Sequence, residues 1–249
     1  MKVIIIAAGD AKRLDSETKK IPKGLLDING KSILERQIHI FKNNNIKEIF
    51  IITGPHKEKF NFKEVKYIED LEYEKHDVLL SLMAAKKEFK GDLITTYSDI
   101  LFDEKILQQI IKSKADIGIA TDLNWESKYK NRTEHPKSQA DNVIIEKNQI
   151  KKIKKNISKI ASNQKNGEFI GIIKFSKKGS EIFLREFNKI EKEKTNPFQY
   201  AKTFEKSYLT DMIQELIDQN IPVEPIIING DWYEIDTIQD LENARKKYN

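Results

Sequence analysis

The sequence predicts an α/β protein built on a mixed, mostly parallel central sheet flanked by helices. Two observations carry that expectation. Short apolar runs rich in Ile and Val alternate along the chain with amphipathic stretches, the pattern of strands that return through helices onto a shared sheet. The first run is followed at once by small residues and then by a polar, charged loop, as where a buried strand ends at a site.

Residues 2–8, 48–53, 65–69, 93–98, 116–121, 142–146, 169–175 and 223–228 read as strands. Residues 32–44, 77–89, 104–113, 177–191, 208–220 and 237–248 read as helices. Ser32 and Thr237 stand where N-caps belong, and Thr237 is followed by Asp240 three residues on. Residues 124–141 are long, polar and interrupted by Pro136, so they are expected to form a functional or mobile loop. Residues 192–206 form a second irregular stretch. Neither separates two cores, and one domain over 1–249 is expected.

The bulk composition narrows the function. A chain of 249 residues with 39% hydrophobic content supports a packed core. Without cysteine there is neither a disulfide framework nor thiolate chemistry. No apolar run approaches the roughly 20 residues of a membrane span, so a cytoplasmic protein is expected. The net charge of +5 is spread over lysines interleaved with glutamates, and only 151–155 form a cluster. That suits a solvated surface or a small anionic substrate. An aromatic-interleaved basic face for nucleic acid is missing.

The chemistry begins at the end of the first strand, in Ala7-Ala8-Gly9-Asp10-Ala11-Lys12-Arg13-Leu14, followed by Ile21-Pro22-Lys23-Gly24-Leu25. Small residues there let backbone N–H groups approach a triphosphate, with Arg13 as a bidentate cation and Lys23 as a point charge. By itself the turn is equally a tight strand-to-loop connection. The dinucleotide fingerprint and the P-loop both fail on glycine spacing.

Taken together, these residues resemble the nucleotidyltransferase superfamily that activates sugar phosphates and small phosphoesters, whose first signature is A-A-G-x-G-x-R followed by P-K. Ala11 stands here in place of the second glycine. Trp125, Tyr129, Arg132, His135 and Pro136, then Glu168-Phe-Ile-Gly171, Tyr208-Leu-Thr-Asp211 and Trp232-Tyr-Glu-Ile-Asp-Thr237, extend the likeness over nearly the whole chain. In that order they resemble the phosphonate cytidylyltransferase group, to which 2-aminoethylphosphonate cytidylyltransferase belongs and phosphocholine cytidylyltransferase is near.

The resemblance implies a single-domain Rossmann-like nucleotidyltransferase fold and Mg²⁺-dependent transfer of a cytidylyl group from CTP to a small phosphonate or phosphoester. It implies nucleotide contacts at Ala7, Ala8, Gly9, Asp10, Ala11 and Ser81, and charge neutralisation by Arg13, Lys23 and Lys155. It places the acceptor near Arg132 and His135 and the metal on Asp99 and Asp236, with Asp103 and Asp211 as the other carboxylates in range. Carboxylate oxygens are what Mg²⁺ selects. Near 76 and 77 the relatives carry asparagines, and at 139 often an acid; here stand His76, Asp77 and Gln139. Other readings are a sugar-1-phosphate nucleotidyltransferase using another triphosphate, and a silent nucleotide-binding scaffold that would have no need of both carboxylates.

Overall fold

A computed structural model describes residues 1–9, 14, 21–157, 159–193 and 196–248. In chain order the strands are β1 Lys2–Ala7, β2 Asp27–Ile28, β3 Lys31–Ser32, β4 Glu48–Thr53, β5 Lys66–Glu69, β6 Leu93–Tyr97, β7 Ile100–Phe102, β8 Ile117–Asp122, β9 Asp141–Glu146, β10 Gln149–Lys155, β11 Lys165–Phe175, β12 Glu224–Ile227 and β13 Trp232–Glu234. The helices are α1 Ile33–Asn43, α2 Val78–Met83, α3 Glu104–Lys112, α4 Lys177–Glu193, α5 Leu209–Asp218 and α6 Ile238–Lys247.

Nine strands make the main sheet, whose path runs β10-β9-β11-β6-β1-β4-β5, with β8 on β11 and β12 on β8. The run β6-β1-β4-β5 is parallel, as is β8 with β12, while the neighbours of β11 are antiparallel to it. β1 is buried on both faces because its side chains alternate between two cores. Ile4 and Ile6 pack with Leu79, Leu82, Phe183 and Phe187 on one face. Val3 and Ile5 pack with Leu34, Phe41, Ile106 and Ile110 on the other.

Ser32 and Thr237 each close a capping box, with Glu35 and Asp240 respectively. The helix expected over 77–89 ends sooner: α2 stops at Met83, and a tighter turn at Lys86–Glu88 carries Phe89 into the core. Five short or lysine-rich strands, β2, β3, β7, β10 and β13, lie beyond the sequence expectation. β10 hides in the 151–155 lysine cluster because it is an edge strand: Ile150 and Ile153 are buried while lysines face solvent. Residues 124–141, expected as a functional or mobile loop, are internally packed. They fold as turns at Trp125–Tyr129 and Lys137–Gln139, and Trp125, Tyr129 and Ala140 form their own apolar cluster.

Strand β11 bends at Gly171, whose φ of +78° suits glycine. A Cβ there would lie 2.5 Å from both Ile100 Cδ1 and Tyr97 Cδ2. The bend lets one strand pair with β9 through residues 165–168 and with β6 through 172–175.

Candidate active site

Chain order in the parallel run reverses at β1: β4 and β5 extend to one side, and β6 lies on the other. At such a reversal the connections leave in opposite directions and open a crevice at the carboxyl ends of the strands. A cleft of about 670 Å³ lies there, touching Ala7 at the end of β1, Gly9 just beyond it, and Ser98 and Asp99 after β6. Its size matches the usual range for small-molecule sites.

Three separate pieces of chain bring charge into this cleft. Lys23 follows Pro22 in a short turn, Lys23–Leu25. Gly24 is packed so closely that a Cβ would lie 2.8 Å from Leu34 Cγ and 3.0 Å from Ser98 Cβ, which seats Lys23 beside Asp99. The β7–β13 ladder supplies the other carboxylate. Ile100 is paired with Glu234, and the Ile235 amide donates to the Asp99 carbonyl at 3.0 Å, so Asp236 arrives alongside Asp99. A small core of Leu26, Ile28, Ile33, Leu101, Ile235 and Leu241 locks these pieces together.

The Lys23 ammonium donates to Asp99 Oδ2 at 2.7 Å and to Asp236 Oδ1 at 2.5 Å. Burial works against the lysine's charge, yet the Asp99 and Asp236 carboxylates more than offset it and hold its pKa well above the ordinary lysine value. Among the described residues, Asp99 Oδ1 is buried without a hydrogen-bond partner.

Arg132 and His135 are brought to the same end but play unequal parts. His135 lines the cleft, whereas Arg132 does not. The Arg132 guanidinium is buried between the rings of Tyr129 and Tyr233, 5.0 and 5.2 Å from their centroids. Its Nε donates to Asp240 Oδ1 at 2.8 Å, and its Nη2 reaches His135 Nδ1 at 2.9 Å and the Glu234 carbonyl at 3.2 Å. Since a guanidinium only donates, His135 Nδ1 accepts and its Nε2 carries the proton, 3.7 Å from Glu234 Oε2. The expected acceptor contact at Arg132 is therefore replaced by a brace: the fork is spent holding Asp240 and His135. Asp240 Oδ2 in turn accepts the amides of Asp236 and Thr237. Burial opposes the charge of Asp240, but the hydrogen bond and positive charge of Arg132 keep its pKa below the usual carboxylate range.

Across the cleft, Lys155 ends β10 directly opposite Asp141 on β9, and its ammonium lies 5.9 Å from the Tyr208 ring centroid. Lys154 sits 4.5 Å from that of Tyr200. Both lysines line the cleft, as do Gln139, Asp141 and Glu234. Asp211 also lines it, but its oxygens accept the amides of Tyr200 and Tyr208 and fasten that wall. Asp103 is away from it, capping α3 through the Ile106 amide.

Of the nucleotide contacts expected, Ala7 and Gly9 border the cleft, while Ala8 is turned into the core. Ser81 is buried on α2 and does not line the cleft; Asp77 and Val78, at the start of that helix, do. His76 is engaged elsewhere, 2.8 Å from Asp70 Oδ2. Asp10, Ala11 and Arg13 lie outside the described residues. Sequence reasoning passed over Tyr97, Asp141, Lys154 and Tyr200 as site residues.

Residues 3–136 match the model of the MobA-like NTP transferase domain. The chain belongs to that family and is a nucleotidyltransferase. Among curated proteins it is 28% identical over 254 residues to the CTP:phosphoglutamine cytidylyltransferase of Campylobacter jejuni, covering 97% of this chain and 98% of the relative. It is 32% identical over 117 residues to the choline-phosphate cytidylyltransferase of Streptococcus pneumoniae, covering 45% of this chain and 51% of that protein. Among solved structures, the inositol-1-phosphate CTP transferase of T. maritima superposes with a TM-score of 0.73 at 17% identity, over 99% of this chain and 96% of that one. The shared architecture is the Rossmann-like nucleotidyltransferase fold. Among the described residues, no helix is long and apolar enough to cross a membrane.

Proposed function

We propose that this protein transfers a cytidylyl group from CTP to a small phosphonate or phosphate ester and releases pyrophosphate. The observation that carries the reading is the convergence of Lys23, Asp99 and Asp236 at the cleft's sheet end, with Lys154 and Lys155 on the facing wall. The names of the C. jejuni and S. pneumoniae relatives support CTP as donor and a phosphorylated small molecule as acceptor.

Two repelling anions must be held in line, and this requires positive charge on both sides of the reacting phosphorus. Lys23 supplies it on the triphosphate side and Lys155 on the acceptor side. An acceptor phosphoryl group, with a second pKa of about 6, is already mostly dianionic near neutrality and needs no general base. His135 and Arg132 act as positioning residues: through Asp240 they fix where Asp236 points.

Asp99 and Asp236 would hold Mg²⁺. Their carboxylate oxygens are the hard donors that ion selects, the two already share a cation in the Lys23 ammonium, and Asp99 Oδ1 is buried and free of partners among the described residues. When bound, Mg²⁺ supplies further neutralisation of phosphate charge.

The acceptors 2-aminoethylphosphonate and 2-hydroxyethylphosphonate follow from the resemblance, and a phosphoglutamine-like acceptor follows from the full-length likeness to the C. jejuni protein. The test is a matrix of four nucleoside triphosphates against these acceptors, phosphocholine and a hexose 1-phosphate, read by pyrophosphate release with Mg²⁺. Release with CTP and a small phosphonate or phosphoester supports the reading. Release only with UTP or dTTP and the hexose phosphate overturns it.

A further inference from the structure

The turn that carries Asp99 is held by a helix residue that does not line the cleft. Gln37 sits on α1 and is only 1% exposed. Its side-chain Nε2 donates to the Tyr97 carbonyl at 2.9 Å and to the Ile100 carbonyl at 2.7 Å. Those carbonyls stand on either side of Ser98 and Asp99, the two residues that turn the chain from β6 into β7. One nitrogen therefore clasps both ends of the turn.

The residue type fits this task. A glutamine amide nitrogen carries two N–H donors and no charge, so it satisfies two carbonyls at once, whereas a carboxylate only accepts. The other amide atom, Oε1, is buried without a hydrogen-bond partner among the described residues. An open buried acceptor is destabilising, and an apolar side chain of similar length would fill the space without that cost. The two donated bonds, and not packing, account for the glutamine. Leu34, three residues before Gln37 and so on the same helix face, is the side chain against which Gly24 packs. One face of α1 thus seats both the Lys23 turn and the Asp99 turn, and the capping box of Ser32 and Glu35 fixes where that helix starts.

Resting on the metal reading above, we infer that Gln37 is a positioning residue for the reaction: through the Tyr97 and Ile100 carbonyls it sets where the Asp99 carboxylate stands relative to Lys23 and Asp236. Asp99 meets the Lys23 ammonium at 2.7 Å, and its buried Oδ1 is open among the described residues. Groups in such a site must be held to within about 0.5 Å of their working positions. The Ile235 amide fixes the turn from the Asp236 side, by its bond to the Asp99 carbonyl. Gln37 fixes it from the Lys23 side. Without Gln37 the turn keeps its tie to Asp236 and loses its tie to α1.

The test is Mn²⁺ binding, followed by electron paramagnetic resonance, with a CTP analogue methylene-bridged between the α- and β-phosphates. Gln37→Met removes both donors at nearly constant volume, and Gln37→Asn keeps the amide but falls one methylene short. Ser32→Ala is the control: it loosens α1 by removing the N-cap and leaves the Gln37 bonds in place. Both Gln37 variants are expected to bind Mn²⁺ about tenfold more weakly, the usual effect of losing a group that orients a metal ligand. The Mg²⁺ concentration giving half-maximal pyrophosphate release should rise by the same factor, with the KM for the acceptor unchanged. Ser32→Ala should keep the parent Mn²⁺ affinity although its urea midpoint falls. Parent-like Mn²⁺ affinity in either Gln37 variant, an equal loss in Ser32→Ala, or failure of both Gln37 variants to fold overturns the inference. Failure of the metal reading is seen separately, as Mn²⁺ binding by Asp99→Ala as tight as that of the parent.

Discussion

The two halves of the cleft handle charge in opposite ways. At the sheet end, Lys23, Asp99 and Asp236 come from three distant segments, and one ammonium pairs with both carboxylates, at 2.7 and 2.5 Å. Around a small cavity that adjoins the cleft, burial raises the carboxyl pKa values of Asp141, Glu168 and Glu234, and the charges of Lys155, Arg132 and Lys23 respectively oppose the rise. The first group is preorganised, with one cation for two carboxylates and a spare oxygen on Asp99 among the described residues. In the second, burial outweighs the nearby cations and favours the protonated carboxyls. The contrast teaches that carboxylates sharing an ammonium stay charged and poised for a cation, whereas carboxyls dominated by burial respond instead to pH.

The largest expected effect falls on the sheet-end cluster. Asp99→Ala should lower kcat/KM by on the order of 10³-fold, about 4 kcal/mol, with an unchanged far-ultraviolet spectrum. Near-normal turnover with Mg²⁺ would remove Asp99 from the metal site. Arg132→Met comes next. It strips Asp240 of its buried partner and should cost about 3 kcal/mol in urea unfolding, with a fall in kcat as Asp236 loses its support. A variant that lost acceptor binding alone, at full stability, would instead restore Arg132 as an acceptor contact. Lys23→Met leaves two carboxylates facing each other. It should destabilise the unliganded protein by about 2 kcal/mol and weaken CTP binding, with millimolar Mg²⁺ recovering part of the stability.

The smallest effect belongs to the buried carboxyls and appears as pH dependence. Glu168 has its pKa raised from 4.5 to about 8, so across that interval the folded state holds a proton the unfolded state has lost. Stability of the unliganded protein should therefore fall as pH rises from about 5 to about 8. Burial drives the shift; the Tyr129 hydrogen bond and the Arg132 charge oppose it, and the Asp141 and Asp122 charges add to it. Glu168→Gln should flatten the decline, read from urea midpoints at the two ends of the range. An equally steep decline in the variant would place its origin in other groups.

Much of this was legible in the residues, for reasons that differ by region. β1, β4, β6 and β8 are buried on both faces, so each reads as a run of apolar and β-branched residues with boundaries within about a residue. Ser32 and Thr237 announced their helices through side chains that bond the next turn's amides. The short ladder of β7 and β13 was not legible, because three-residue strands carry too little alternation, yet it aligns Asp99 with Asp236. The pairing of those aspartates came from the family resemblance, and only the ladder explains it. Arg132 and Ser81 sit differently from the expectation because a linear pattern does not display burial: Arg132 is engaged by Asp240 and His135, and Ser81 is buried on α2 away from the cleft lining. Glu168 stood in view as part of a motif, but its open oxygen emerges only where β11 meets β8 and β9.

The central claim is that an acceptor phosphoryl oxygen held in this cleft attacks the α-phosphorus of CTP. Its most direct test is turnover of an acceptor carrying ¹⁸O in its phosphoryl group, with both products weighed by mass spectrometry. Label retained in a CMP–acceptor product, with unlabelled pyrophosphate, is the predicted result. Label in the pyrophosphate, or release of free CMP with no acceptor adduct, would contradict the account.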